Sequence, residues 1–175
     1  SNATNASGSV SNHLNSFNSD GFTLGSEDQA NSSNDDFVSW TFRKQPKFFD
    51  IVTYTGDGNT SQTISHNLGS TPGFMIAKQT NGSGSWFTYH RSLGAEKYLE
   101  LNSSGGGPYD QTYIWNDTAP TSTHFTVGND QDINESGSSY VAYLFAHNDS
   151  DGGFGSTGDQ DIIKCGSYSG NGSET

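Results

Sequence analysis

The fold class is decided by the run FFDIVTYTGDGNTSQTI at residues 48–64. Its first half, residues 48–55, is dominated by aromatic and β-branched residues, which are enriched in β-strands. Residues 56–59 form a turn signal, because glycine adopts positive φ at little cost. Residues 60–64 return as a second β-rich run. The stretch therefore predicts two short strands joined by a tight turn.

The same pattern continues along the chain, and no segment has apolar residues at helical spacing over three turns. We expect about eight short strands in this region, and the last two of them to pair with each other. The predicted strands are residues 48–55, 60–64, 74–78, 86–91, 97–101, 113–116, 124–127 and 139–146. This pattern predicts an all-β fold, a β-sandwich or jelly-roll-like module.

Composition supports this reading and excludes several functions. Hydrophobic residues make up only 29%, but 11 Phe, 8 Tyr and 3 Trp argue against disorder. The formal net charge is −12 with only 7 Lys and Arg, so we expect no nucleic-acid partner, because a phosphate backbone requires basic side chains. No apolar run approaches the ~20 residues of a membrane span, so no membrane insertion is expected.

An internal repeat links two parts of the chain. The run GFTLG at residues 21–25 aligns with HFTVG at 124–128. Continued without a gap, the alignment superposes Asn31 on Asn134, Val38 on Val141 and Phe42 on Phe145. A weaker similarity relates DIV at 50–52 to DII at 161–163. These matches predict a fragment of a tandem repeat array.

The repeat sets the predicted domain boundaries. Residues 1–3 resemble a vector scar left by cleavage of a tag, and 4–20 form a linker or the end of a preceding module. The further divisions are 21–45 as the closing hairpin of a preceding repeat, 48–148 as a complete β-sandwich repeat, 149–160 as a linker, and 161–175 as the opening strand of the next repeat. An isolated hairpin is marginal in water, so we expect 21–45 to pack on the complete repeat or on another chain.

Glycan binding is the most specific hypothesis that the residues allow. A sugar site requires an aromatic platform and polar groups that fix orientation. The candidate glycan contacts are Trp86, Tyr89, His90, Arg91 and Trp115. In a strand, Trp86 and His90 share one face, while Tyr89 and Arg91 share the other. At least one face should belong to the core, so plain packing is the alternative for these residues.

Other sites are less well supported. Asp149 and Asp151 alternate before a glycine as calcium ligands do, although the downstream acidic residue of an EF-hand is missing. A solvated linker explains them equally well, so calcium is a candidate and no other cofactor is expected. His66 lies in a turn-like segment, where we expect its ring to bond to backbone. Cys165 is expected to be an incidental thiol. No catalytic motif accompanies the histidines, and the sequence predicts no enzyme.

Several motifs together resemble a module common in structural proteins of marine bacteriophages. They lie at residues 54–60, 64–69, 72–76, 89–94, 115–123 and 140–147, so the resemblance covers nearly all of the complete repeat. It implies tail-fibre-like or other virion surface proteins, often beside lectin-like domains. It supplies neither a catalytic residue nor a ligand.

We therefore expect a non-enzymatic virion surface or adhesion module, virion-bound or extracellular, that acts as a structural spacer and candidate receptor contact. Its expected partners are neighbouring repeats or copies of itself and, if it contacts a receptor, a cell-surface glycan. The alternatives are a carbohydrate-binding module of a secreted protein and, with less support, a glycan depolymerase domain.

Overall fold

The computed structural model describes residues 4–8 and 12–173. The predicted scar, residues 1–3, lies outside this range. The chain divides into a small unit, Ser7–Phe42, and a large unit whose main part begins at Arg43.

The small unit is built on a hairpin of β1 (Leu14–Phe17) and β2 (Phe22–Leu24), followed by the one-turn helix α1 (Asp28–Asn31). The turn is closed by the Asn18 amide, which donates to the Gly21 carbonyl at 2.8 Å. The sequence predicts that 21–45 pairs with itself, but β2 pairs with β1 instead. A four-residue turn closes at lower entropic cost than the longer connection through α1. Within the described residues, 37–44 belong to no strand.

The large unit contains a six-stranded antiparallel sheet in the order β3-β10-β5-β6-β7-β8. Its strands are β3 (Phe49–Thr55), β5 (Pro72–Gln79), β6 (Phe87–His90), β7 (Lys97–Glu100), β8 (Tyr109–Asp110) and β10 (Ser139–Ala146). A second sheet contains only β4 (Gln62–Ser65) and β9 (His124–Val127). Two one-turn helices, α2 (Thr112–Trp115) and α3 (Gln131–Asn134), complete the unit. The predicted all-β, sandwich-like fold is confirmed.

Two predicted pairings are wrong. Residues 60–64 do not return along β3, because β4 pairs with β9 in the other sheet. Likewise β9 and β10 are not partners, since β10 lies between β3 and β5. The Gly56 amide instead donates to Ser138 and the Gly56 carbonyl accepts from Gly137, both at 2.9 Å, so the end of β3 is bound to the start of β10. A sandwich requires strands to cross between sheets, and sequence neighbours then become partners less often.

Helix α2, Thr112–Trp115, lies where the sequence predicted a strand at 113–116. The helix ends at Asn116, whose φ of 52° places it in the left-handed region that commonly follows a helix. One face of this turn buries Ile114 and Trp115. The following residue, Asp117, also has positive φ, at 47°. A single turn offers too few residues for helical periodicity, which explains why the sequence pattern did not predict it.

The core lies between the inner face of the large sheet and a cover formed by the small sheet and the two helices. Alternate residues of β10, namely Tyr140, Ala142, Leu144 and Ala146, are all buried. The cover contributes a set of buried apolar residues, namely Ile64, Leu68, Ile114, Trp115, Phe125, Val127 and Ile133. The alternation matches the two-residue period of a strand. It explains how so polar a chain can fold around a small aromatic core.

The described residues after β10, up to residue 173, add no strand. Residues 161–175 were predicted to open a further repeat, but 161–173 contain neither a helix nor a strand. The Asn148 amide donates to the Ile163 carbonyl at 2.9 Å, and Ile163 packs against the core cluster. This segment therefore packs on the core of the large unit through the side chain of Ile163.

Candidate functional site

The aromatic residues proposed for glycan contact do not form one exposed platform. Trp115 is 1% exposed and Tyr89 is 5% exposed. Their rings meet edge to face, with centroids 6.1 Å apart and an interplanar angle of 80°, a favourable geometry for aromatic pairs. Burial also raises the pKa of the Tyr89 hydroxyl. Both rings therefore pack in the core.

The other three candidates lie nearer the surface. Trp86 and His90 are half-buried and Arg91 is exposed. The Trp86 backbone amide donates to Asn102 Oδ1 at 2.8 Å. The His90 ring lies 6.4 Å from that of Phe74, and its pKa is lowered by burial and by the charges of Arg91 and His147. The structure thus buries Tyr89 and Trp115 and leaves Trp86, His90 and Arg91 nearer the surface.

A groove of about 690 Å³ lies beside Arg91. Its lining includes the cationic or titratable side chains of Lys47, Arg91 and His147, the carboxylates of Asp149 and Asp151, and the edge of Tyr89. Lys47 Nζ donates to the Asp151 carbonyl at 2.7 Å. His147 Nδ1 accepts from the Cys165 amide at 3.0 Å. The groove is therefore polar and of mixed charge, with no aromatic face open for sugar stacking.

The calcium candidates are engaged in a turn held by protein groups. The Asp149 amide donates to Asp151 Oδ1 at 3.0 Å, and the Ser150 and Gly152 amides donate to Asp161 at 2.7 and 3.0 Å. These amides and Lys164 lower the pKa of Asp161. Lys164 Nζ lies 3.5 Å from Asp149 Oδ1. In the part of the chain that the structure describes, no three His, Cys, Asp or Glu residues gather as a metal site.

His66 and Cys165 have structural roles. The Leu68 amide donates to His66 Nδ1 at 3.2 Å, which confirms the predicted backbone contact of this ring. Burial lowers the pKa of His66, although a hydrogen bond with the Thr121 backbone opposes the shift. Burial raises the pKa of the Cys165 thiol, which disfavours the nucleophilic thiolate.

The most informative polar cluster surrounds Asn134, which is fully buried although sequence reasoning did not select it as a site. Its Nδ2 donates to the carbonyls of Gly128 at 2.9 Å and Asn59 at 3.1 Å. The small unit repeats part of this arrangement, because Asn31 Nδ2 donates to the Gly25 carbonyl at 2.7 Å. The signal that could have found it is the alignment of Asn31 with Asn134.

Backbone bonds extend the equivalence of the two segments. The Asn134 amide donates to Asp130 at 2.8 Å, and the Asn31 amide donates to Glu27 at 2.8 Å. The Gly128 amide donates to Ile114 at 2.8 Å, and the Gly25 amide donates to His13 at 2.9 Å. Helices α1 and α3 also begin and end at aligned residues. Similar sequences thus form similar local structures in the two units.

Comparison with known families gives one match. A domain of unknown function, DUF7483, matches residues 1–175. The chain belongs to the DUF7483 family. Comparison with curated proteins and with solved structures found no match to this DUF7483 chain. Among the described residues of this DUF7483 domain, no helix has the length and apolar character needed to cross a bilayer.

Proposed function

We propose that this DUF7483 chain is a non-enzymatic structural module of a tandem array, and that it acts as a spacer in a virion surface or adhesion protein. The observation that carries the proposal is the repeated bonding of Asn31 to Gly25 and of Asn134 to Gly128. A chain that builds the same local structure twice is typical of repeat architectures, in which each unit is a variation on one supersecondary motif.

The burial of the aromatic residues supports a spacer over a lectin. Sugar-binding platforms expose an aromatic face, whereas Trp115 and Tyr89 pack against each other in the core. The interior of the large unit accounts for these two residues without a ligand. The groove beside Arg91 offers charge and hydrogen-bonding groups, but the Tyr89 ring in its lining is only 5% exposed and leaves little surface for the apolar face of a sugar.

The virion part of the proposal rests on the resemblance of six sequence motifs to phage structural modules. Mass spectrometry of particles purified from a phage whose genome encodes this chain tests the virion placement. Peptides of the chain recovered with the particles support a virion protein. Peptides found only in the secreted fraction of a bacterial culture would contradict this placement and favour the carbohydrate-binding alternative.

A glycan array tests the spacer role itself. We expect no retention of the full chain on bacterial surface glycans. Specific retention that is lost in Arg91→Ala would overturn the spacer role and identify the groove as a receptor site. Arg43→Ala is the matched control, because Arg43 is also exposed and does not line this groove.

A further inference from the structure

An exposed apolar segment follows helix α1 in the small unit. The side chains of Phe37, Val38 and Trp40 are 52%, 83% and 79% exposed. Single exposed apolar residues are ordinary, but several in one short run indicate a surface meant for contact. Residues 37–44 also belong to no strand within the described chain, although β-branched and aromatic residues favour strands.

The repeat identifies what this segment corresponds to. From the aligned pair Asn31 and Asn134, the alignment continues without a gap and superposes residues 36–43 on strand β10. Val38 then corresponds to Val141, and Trp40 to Tyr143. The alignment is anchored in structure as well as sequence, because the Asn31 and Asn134 side chains bond to equivalent glycine carbonyls.

The environment of β10 shows what such a strand requires. β10 is an interior strand with β3 on one side and β5 on the other. Tyr143 lies opposite Ile51 of β3 and Ile76 of β5. Farther along, the Phe145 ring has its centroid 5.0 Å from that of Phe49 and 5.8 Å from that of Phe74. Both edges of the strand are therefore paired, and its outward side chains Val141, Tyr143 and Phe145 are half-buried.

We propose that residues 36–43 are the counterpart of β10 in a preceding copy of this module and lie between the β3 and β5 strands of that copy, which has no other β10. In this register Trp40 lies between the copy's Ile51 and Ile76, and Val38 lies between its Thr53 and Lys78. Backbone pairing on both edges and burial of the exposed apolar side chains drive the association. The inference rests on the proposed tandem array and adds how its modules are joined. The segment that completes the sheet of one module continues directly into the next module.

The test compares the 175-residue chain with a longer protein that carries one additional module. In the longer protein, residues 43–112 are joined ahead of Asn12. This joint follows the repeat, because Asn12 is the counterpart of Tyr113: the Asn12 carbonyl accepts from the Glu27 amide, and the Tyr113 carbonyl accepts from the Asp130 amide. A second version joins residues 43–123 ahead of Gly21. Hydrogen exchange of the amides of residues 37–41 and iodide quenching of Trp40 fluorescence are measured in all three proteins.

We expect rapid exchange of residues 37–41 in the 175-residue chain. In the longer proteins we expect exchange slower by about a hundred-fold or more, together with weaker quenching of Trp40. Ser39→Pro should abolish the protection in the longer proteins, because proline cannot pair within an interior strand. The same substitution should leave the melting temperature of the 175-residue chain unchanged.

Either of two results would overturn the inference. One is rapid exchange of residues 37–41 in both longer proteins, whether or not the added module folds. The other is protection that survives Ser39→Pro. Failure of the spacer function has a separate signature, which is glycan retention by the 175-residue chain, and that result does not depend on the exchange of residues 37–41.

Discussion

Asn134 and Asp57 are joined by two hydrogen bonds. Asn134 Oδ1 accepts from the Asp57 amide at 3.0 Å, and Asn134 Nδ2 lies 3.2 Å from Asp57 Oδ1, to which it donates. Because Asn134 also bonds to the Gly128 and Asn59 carbonyls, it connects the loop after β3 with the segment between β9 and α3. A fully buried side chain with this many hydrogen-bond partners holds the surrounding segments in one arrangement.

Asn134→Ala should lower the free energy of unfolding by about 3 kcal/mol, because it leaves buried backbone groups without partners. Denaturation by urea measures the loss. Asn31→Ala is the matched control, since Asn31 makes the equivalent bond to Gly25 at an exposed position. It should cost less than about 1 kcal/mol. Equal losses for the two variants would contradict a special role for Asn134.

Trp115→Ala should be among the most destabilising substitutions in the chain. It removes a buried indole and its edge-to-face contact with Tyr89, for an expected loss of about 3–5 kcal/mol. Trp40→Ala, at an exposed position, should change stability by no more than about 0.5 kcal/mol. A stable Trp115→Ala protein would show that the indole is not a core residue and would reopen its role in glycan contact.

Gly128→Ala should destabilise the large unit by about 3 kcal/mol or prevent folding. A Cβ at this position would lie 2.3 Å from the Tyr113 carbonyl oxygen, a backbone atom that cannot move aside easily. Gly106→Ala should be neutral, because a Cβ there meets nothing within 4 Å. Thermal denaturation followed by circular dichroism distinguishes the two variants, and similar melting temperatures would contradict the prediction.

Acid should weaken the fold through Asp50. Burial alone would raise the pKa of this carboxyl, but hydrogen bonds from the Asn67 and Ile51 amides and the Lys44 ammonium 3.0 Å away hold the pKa below its usual value. A lowered folded pKa means that the contribution is complete above the unfolded value and is lost as the pH falls through the folded pKa. Wild type should therefore lose stability as the pH falls below about 5 and through the folded pKa of Asp50.

Asp50→Asn gives the matched measurement for that pH dependence. The variant should be less stable than wild type at neutral pH, and the difference should shrink as acid protonates Asp50 in the wild-type protein. Urea denaturation at a series of pH values measures this. A difference that is independent of pH would show that the Asp50 charge contributes nothing to folding.

The positions of several strands were predicted well. Strands β9 and β10 were predicted at their observed bounds, β3 begins one residue later than predicted, and β5 extends two residues farther at its start and one at its end. In these runs, aromatic and β-branched residues favour a strand locally. Their partners could not be predicted, because pairing depends on which sheet a strand enters rather than on its own residues.

The candidate site was harder to predict for a related reason. Strand alternation predicted that one face of residues 86–91 would be core, and Tyr89 is indeed buried. The burial of Trp115 followed instead from helix α2, which is too short to have a periodic pattern. Asn134 was missed as a site because asparagine is common in exposed turns. Its alignment with Asn31 marks it in the sequence, but its burial depends on its tertiary partners.

The placement of β10 also has consequences for how the chain acquires its fold. During synthesis β3 and β5 leave the ribosome well before their shared partner, so the large sheet has no complete pairing until residues 139–146 emerge. Contacts between residues so far apart in sequence slow folding. Strands that wait for a partner are also prone to pair with other chains. Nascent chains of this family should therefore be most vulnerable to aggregation and to chaperone capture just before their final strand is made.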